Sequence, residues 1–348
     1  MAMGSGQGKK PLLGLIRAIA GIDPGQPGAK PIPVPAAHKA DELGILSQTL
    51  NTVLERAQDN LDGRDQAEAQ LSALARDLED RVAKRTADLE KANRSIQDGI
   101  RYAARLQGAL LPPKAALDGI VREWAVGWDP LDGVGGDLYW AGKFENKGVI
   151  ALMDCTGHGV PGAFMSAVAS SVLNRVLNPI GHDDPTKILS NINLLMKSAL
   201  HQDGAEGRHS NDGLDAAVCV IDPDTRTIRF AGAGLSLFAI GPEGQKQWRG
   251  DRFSLGYPDS RADFLFTSHA IPYGGDETFY LYTDGITDQV GGPSGRLIGK
   301  RRVHEILVQN AGLPLAAQKD ALLDRLAQWR GVEHRRDDMT FLVFRPAV

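Results

Sequence analysis

The sequence predicts an α+β chain in which two β-sheets pack face to face with helices outside, behind a long helical N-terminal region. Three observations carry that class. From Val121 onward, short apolar segments alternate with turn signals, in runs flanked by pairs of helical stretches. Residues 64–111 hold almost no helix breakers and place apolar side chains at three- and four-residue steps. Ahead of them, two shorter apolar stripes are separated by PGQPGAKPIPVP at 24–35, which cannot be helix and reads as an extended connector.

Composition narrows the function classes. The chain has 348 residues, 42% hydrophobic and 24% charged, ordinary for globular protein and long enough for one large domain plus an accessory, or for two domains. A formal net charge of -4 speaks against nucleic acid as the main partner. The cysteines, Cys155 and Cys219, sit in apolar, strand-like settings and are expected to be reduced and buried. No run approaches the ~20 apolar residues of a membrane helix, and no secretory signal is evident. The opening MAMGSGQG, residues 1–8, reads as a cloning remnant outside the fold.

In the N-terminal third, Leu12, Leu13, Leu15, Ile16 and Ile19 have helical spacing after Pro11. A second short helix is expected from about Asp41, with Leu43, Leu46, Leu50, Val53 and Leu54 on one stripe. A separate long helix then spans 64–111, with Leu71, Leu74, Leu78, Val82, Leu89, Ala92, Ile96, Ala103, Leu106 and Leu110 along a coiled-coil seam. The steps 74–78–82 form a stutter, Arg85 falls where an apolar residue belongs, and Pro112 and Pro113 end the helix. Helix, Pro/Gly connector, DELG box (41–44) and helix together resemble a HAMP signalling module over about 11–58. The expected layout is a HAMP-like module at 9–60, a coiled-coil signalling helix at 61–111 and a catalytic domain at 112–348. The resemblance implies a parallel homodimer through the HAMP and coiled-coil helices, and a preceding transmembrane helix that this sequence lacks. The full-length protein is therefore expected in the bacterial inner membrane, with this part facing the cytoplasm. A histidine kinase is excluded, since no histidine lies between 39 and 157 to serve as phosphoacceptor.

The remaining elements follow in order. Strands are expected at Val121–Trp128 and Leu138–Phe144, a turn at 145–148, and a strand at Val149–Met153. Helices at 160–177 and 185–200 precede HQDGAEGRHSNDG (201–213), read as a mobile loop or flap. Strands return at 214–222, 226–233, 235–240, 263–271 and 278–283. Helices at about 299–310 and 314–330 and a strand at Met339–Phe344 close the domain.

Five acidic segments stand at the ends of these strands: GGDLYW (135–140), MDCTGHG (153–159), DGLDAAV (212–218), LYTDGITD (281–288) and RRDDMTF (335–341). Taken singly each is weak. Asp-Gly is a common turn, and GGD alone would suit a diguanylate cyclase if an acidic pair did not give way to Leu138–Tyr139. Gathered at one locus, four or more carboxylates repel and raise one another's pKa. A divalent cation removes that problem, and hard oxygen donors point to Mg2+ or Mn2+ rather than zinc.

With these motifs in this order, and with SIQDGIRYAARLQGALLP (95–112) before them, residues 96–348 resemble the SpoIIE-type branch of the PPM family of metal-dependent protein phosphatases. The resemblance implies an α-β-β-α sandwich that hydrolyses phosphoserine or phosphothreonine on a protein with two Mn2+ or Mg2+ ions. Carried over residue by residue, Asp154 bridges both ions. Asp137 and the backbone carbonyl of Cys155 bind the second ion, and Asp284 and Asp337 bind the first. The family's third site, carried over, uses Asp288, with Asp212 or Asp215. No side chain is the nucleophile; metal-activated water attacks phosphorus. Two features depart from the family pattern. Thr156 stands where eukaryotic relatives have a histidine, so His158 either serves the leaving group or only shapes the loop. No arginine occupies an obvious phosphate position, and Arg122 is a faint candidate. Asp215 also reads as a hydrogen-bonded structural residue. In this branch the substrate is typically a small phosphorylated STAS-like (anti-anti-sigma) protein. The alternative is a catalytically weak phosphatase-like domain that binds a phosphoprotein; the complete set of four aspartates favours an enzyme. A two-metal nuclease is disfavoured by the acidic charge and the lack of a basic strip.

Overall fold

The computed structural model describes residues 9–27, 30–34, 36–177, 182–202 and 211–348. It divides into two compact units, Met1–Arg94 and Ser95–Val348. In the first, α1 (Lys9–Ala20) leads into the connector, and α2 (Glu42–Gly108) begins. The DELG box has a local physical reason. Asp41 Oδ1 accepts the amides of Leu43 (3.2 Å) and Gly44 (3.2 Å), an N-cap for the orphan donors of the first turn. A Cβ at Gly44 would lie 1.9 Å from the His38 carbonyl oxygen, so only glycine lets the connector pass so close. The connector is tied back to α2 by Asn51, which accepts from the Ile32 amide at 2.7 Å and donates to its carbonyl at 2.9 Å.

Two expectations about this region are corrected. The short second helix and the long helix are one, unbroken from Glu42 to Gly108. Between them no proline intervenes; Gly63 costs only about 1 kcal/mol, and Gln58 donates to Asp62 across one turn. The helix also stops at Gly108 rather than 111, because the turn before Pro112 cannot stay helical. Along it Leu71, Leu74, Leu78, Val82 and Leu89 are exposed.

The second unit is the sandwich. Its strands are β1 (Val121–Asp129), β2 (Asp137–Phe144), β3 (Lys147–Cys155), β4 (Leu214–Asp222), β5 (Thr227–Ala233), β6 (Leu237–Gly241), β7 (Gly244–Trp248), β8 (His269–Pro272), β9 (Thr278–Tyr282), the small hairpin β10 (Val290–Gly291) and β11 (Arg296–Leu297), and β12 (Met339–Pro346). Among the described residues, two five-stranded antiparallel sheets run in the orders β1-β12-β9-β6-β7 and β2-β3-β4-β5-β8. Helices α3 (Gly159–Leu177) and α4 (Pro185–Ala199) cover the second sheet, sharing a core with Leu138, Met153 and Val218. After the one-turn α5 (Asp284–Thr287), helices α6 (Gly299–Asn310) and α7 (Leu315–Arg330) cover the first sheet against Tyr280, Phe341 and Val343. Between the sheets Ile150, Leu152, Phe230, Phe279, Leu281, Leu342 and Phe344 form the central layer. Helix α3 is long and apolar enough to cross a membrane by length and composition, but half of its most apolar stretch is buried in this core.

Most elements lie where periodicity put them. Of the strand expected at 263–271, only 269–271 is strand, as part of β8. Phe264 stacks instead on Phe253 (4.0 Å between ring centroids), and the Thr267 amide donates to the Asp251 carboxylate at 2.7 Å rather than to a ladder. Strand β7 was not expected. GQKQW is polar and almost wholly exposed, an edge strand without the alternation that marks a half-buried one. Of the flap expected at 201–213, residues 203–210 lie outside the described residues.

Candidate metal centre

The site lies at one end of the sandwich and starts from a single register. Asp137 on β2 pairs directly with Asp154 on β3, which pairs with Asp215 on β4. Directly opposed residues share a face, and strand side chains alternate. Ile150 and Leu152 face the central layer, so the three carboxylates face it too. From the other sheet, Asp284 follows β9 and Asp337 precedes β12, strands that are hydrogen-bonded neighbours. The charges that act most strongly on Asp154 are Asp137, Asp284, Asp337 and Asp215. The fold therefore gathers, within electrostatic reach, the four aspartates expected as ligands.

The loops are built for close approach. A Cβ on Gly136 would lie 2.4 Å from the Cys155 carbonyl oxygen and 2.5 Å from that of Gly157, so GGD can sit against the MDCTGHG turn only with glycine there. Gly157 adopts φ 84°, left-handed backbone that glycine accepts without cost. Thr156 closes the turn on β4: its hydroxyl donates to the Gly213 carbonyl or to Tyr257, and accepts the Gly213 amide at 2.9 Å.

Asp137 is the most firmly held of the set. Its Oδ2 accepts the hydroxyls of Thr283 (2.8 Å) and Thr340 (2.7 Å) from the facing sheet. Burial raises its pKa; the two threonine bonds pull the other way, and Asp338 and Asp337 raise it further. Asp154 is raised by burial first and then by the four carboxylates. Asp284, at the rim, is raised by desolvation and then by Asp337, Asp288 and Asp215. Asp215 is also raised by burial, opposed by a 2.5 Å bond from the Ser254 hydroxyl. It is thus hydrogen-bonded, as the structural reading expected, and it also completes the acidic row. Asp338, beside Asp337, is buried and has a different job. It accepts the amides of Leu131 (2.7 Å) and Gly136 (2.6 Å), fastening the GGD loop to the start of β12.

These donors fit a hard divalent cation. They are oxygens, they repel one another, and burial holds the Cys155 thiol protonated, so that residue has only its carbonyl to offer. No three ligand-type side chains among the described residues stand close enough to enclose an ion as placed.

The other sequence candidates divide. Asp288 caps α5 and accepts the Thr287 hydroxyl at 3.0 Å; it is exposed, near enough to Asp284 to raise it. Asp212 is held through its backbone by Gln202, with its carbonyl accepting at 2.8 Å and its amide donating at 3.2 Å. His158 is exposed and paired through Nδ1 with Asp132 at 2.9 Å; that bond raises its pKa. Arg122 does not join the site. It lies at the end of β1 that pairs with Pro346, the far end from Met339, and donates to the Gly275 carbonyl at 2.7 Å. Thr283, Thr340 and Asp132 escaped sequence reasoning, and Asp338, marked only as part of RRDDMTF, was not given its bracing role. Each acts by a long-range contact with no local signature, although Thr283 and Thr340 do lie inside the TDG and DDMT motifs.

A family model described as stage II sporulation protein E (SpoIIE) matches residues 145–347. Among solved structures, the SiaA-PP2C domain of Pseudomonas aeruginosa is 34% identical, with a TM-score of 0.66 over 73% of this chain and 98% of that one. The PP2C phosphatase domain and regulatory fragment of SpoIIE from Bacillus subtilis is 17% identical, with a TM-score of 0.50 over 64% of this chain and 62% of that one. A bacterial serine phosphatase is 15% identical, with a TM-score of 0.51 over 66% of this chain and 100% of that one. The last two share the fold. No curated protein matches. With the two-sheet sandwich, the acidic strand ends and a family match over more than half of its length, the chain belongs to the SpoIIE family, as a PPM-type serine/threonine protein phosphatase.

Proposed function

We propose that the domain dephosphorylates a small STAS-like phosphoprotein, with Asp137, Asp154, Asp284 and Asp337 as ligands for two Mn2+ or Mg2+ ions. The observation that carries the metal assignment is the cross-strand row Asp137–Asp154–Asp215 facing Asp284 and Asp337; the substrate class rests on the family resemblance. Like charges directly opposite destabilise a sheet, so the row makes physical sense with cations between its members. Asp154, central in the row, would hold both ions, with Asp137 and the Cys155 carbonyl holding one of them and Asp284 and Asp337 the other. Asp288 would be the side chain for a third. When bound, such ions supply a hydroxide at neutral pH and a clamp on the phosphoryl oxygens.

The protein's own residues do the rest. Thr283 and Thr340 fix the direction of the Asp137 carboxyl, and Asp338 fixes the loop it stands on. His158, kept protonated to higher pH by Asp132, donates a proton to the departing serine or threonine oxygen.

Residues 9–60 are read as a HAMP-like module and 61–111 as a signalling coiled coil, which pair in a parallel homodimer. The exposed apolar stripe on α2 supports this reading. We place the protein on the cytoplasmic face of the inner membrane, as the HAMP-like reading implies; recovery of the native protein wholly in the soluble fraction would sink that placement. The test of the site is Mn2+-dependent phosphate release from a phosphoserine STAS-like protein. Asp154→Ala is expected to lower the rate by more than about 100-fold. Equal rates for variant and wild type would remove Asp154 from the reaction.

A further inference from the structure

We infer that Gln107, on the last turn of α2, is a positioning residue for the loop that carries Asp137; this rests on the metal-centre reading above and deepens it. Gln107 is 3% exposed, unusual for a glutamine, on a helix whose charged residues face solvent. Its carboxamide is used at both ends. Nε2 donates to the Gly135 carbonyl at 2.6 Å and to the Ser166 hydroxyl at 2.8 Å, and Oε1 accepts the Gly135 amide at 3.2 Å. The Ser166 hydroxyl, on α3, is itself within 3.2 Å of the Gly135 carbonyl. Both polar groups of Gly135 are therefore held by one side chain that comes from 28 residues away.

The loop offers few other handles. Gly135 and Gly136 have no side chains, and the close approach to the Cys155 and Gly157 carbonyls forbids adding one at Gly136. Its position must come from backbone hydrogen bonds. On one side Asp338 accepts the Gly136 amide; on the other Gln107 grips Gly135. Asp137 follows directly, with its carbonyl accepting from the Trp128 indole at 3.0 Å. A helix end merely packed on the domain would need no buried amide with matched partners at both ends. A glutamine in reciprocal contact with a peptide group fixes both where the loop lies and how its peptide plane is turned. Gln107 touches no ligand itself. It acts through Gly135 on the placement of the Asp137 carboxylate, and hence on the affinity of the site for a divalent cation.

Gln107→Met in the full chain tests this, since methionine keeps the volume and helix propensity but removes both hydrogen-bonding groups. Mn2+ binding by titration calorimetry is expected to weaken by about 10–100-fold, the usual effect of losing a residue that orients a ligand. The KM for p-nitrophenyl phosphate at saturating Mn2+ is expected to change less than about twofold, and saturating Mn2+ to recover most of kcat. In the metal-free protein, the Gly135 and Gly136 amides are expected to exchange with solvent faster than in wild type. Unchanged Mn2+ affinity and amide exchange in a folded Gln107→Met protein would overturn the inference. Should that variant not fold, Gln107→Asn keeps the carboxamide but shortens its reach by one carbon, out of hydrogen-bond distance of both polar groups of Gly135, and wild-type Mn2+ affinity there would overturn it equally. A wild-type protein that binds no Mn2+ overturns the metal-centre reading and this inference together. Binding by wild type and variant alike overturns this inference alone.

Discussion

At the scale of single residues, the site separates groups that carry charge from groups that aim it. Asp137 has one oxygen committed to two threonine hydroxyls, which leaves the other free to face a cation. Asp338, one residue from Asp337, spends its carboxylate on two amides and so belongs to the scaffold. His158 owes its raised pKa first to the bond with Asp132. A histidine with a raised pKa keeps its proton to higher pH, so a general acid of this kind sets the alkaline limb of the pH–kcat profile. Asp132→Asn removes the charge and weakens the bond, lowering the His158 pKa. The alkaline limb is then expected to move to lower pH while the acidic limb stays in place. A limb that does not move would mean His158 transfers no proton and only shapes the loop.

At the scale of elements, α2 is the departure from an ordinary globular chain. Leu71, Leu74, Leu78, Val82 and Leu89 are more than half exposed, between 57% and 69%, which isolated helices of this length do not tolerate without a partner. A second copy of the same helix matches the three- and four-residue steps. Burying each leucine is worth about 1.5–3 kcal/mol, so the pair Leu74→Asp and Leu78→Asp is expected to raise the dimer dissociation constant by more than about 100-fold. Light scattering across a dilution series measures it, and an unchanged mass would rule out a dimer through this stripe. The same substitutions touch none of the sandwich core, so the phosphatase domain is expected to fold as before.

At the scale of the whole molecule, the end of the sandwich carries electrostatic strain that a bound cation relieves. The carboxyls of Asp137, Asp154 and Asp284 are all raised, by burial first. A carboxyl raised in the folded state binds more protons than in the unfolded chain. Its penalty is therefore absent at acid pH and grows as pH rises from the ordinary carboxylate range into the neutral range. Metal-free protein is expected to lose thermal stability over that interval. Mn2+ at 100 times its dissociation constant is expected to restore about 2.7 kcal/mol. Asp154→Asn removes the centre of the repulsion. Without metal it is expected to raise Tm at neutral pH by about 2–4 °C for each kcal/mol relieved, and to abolish the rise with Mn2+. A metal-free variant less stable than wild type at neutral pH would show that Asp154 holds the fold rather than a cation.

The sequence by itself determined the layers of the sandwich and marked the four aspartates at strand ends. These are legible because strand period, turn chemistry and acidic motifs are local properties of the chain. It also marked the glycines of GGD and MDCTGHG, though without their reason, which is the carbonyl contact between two loops. Only the tertiary structure decided that Asp215 extends the row beside Asp154, that Arg122 lies at the wrong end of its strand, and that α2 runs without a break. It alone found Thr283 and Thr340, whose bonds to Asp137 span 146 and 203 residues, and Gln107, whose bond to Gly135 spans 28. A hydrogen bond between distant segments leaves no period and no composition behind it. It exists only once two sheets and a helix end have been packed into register.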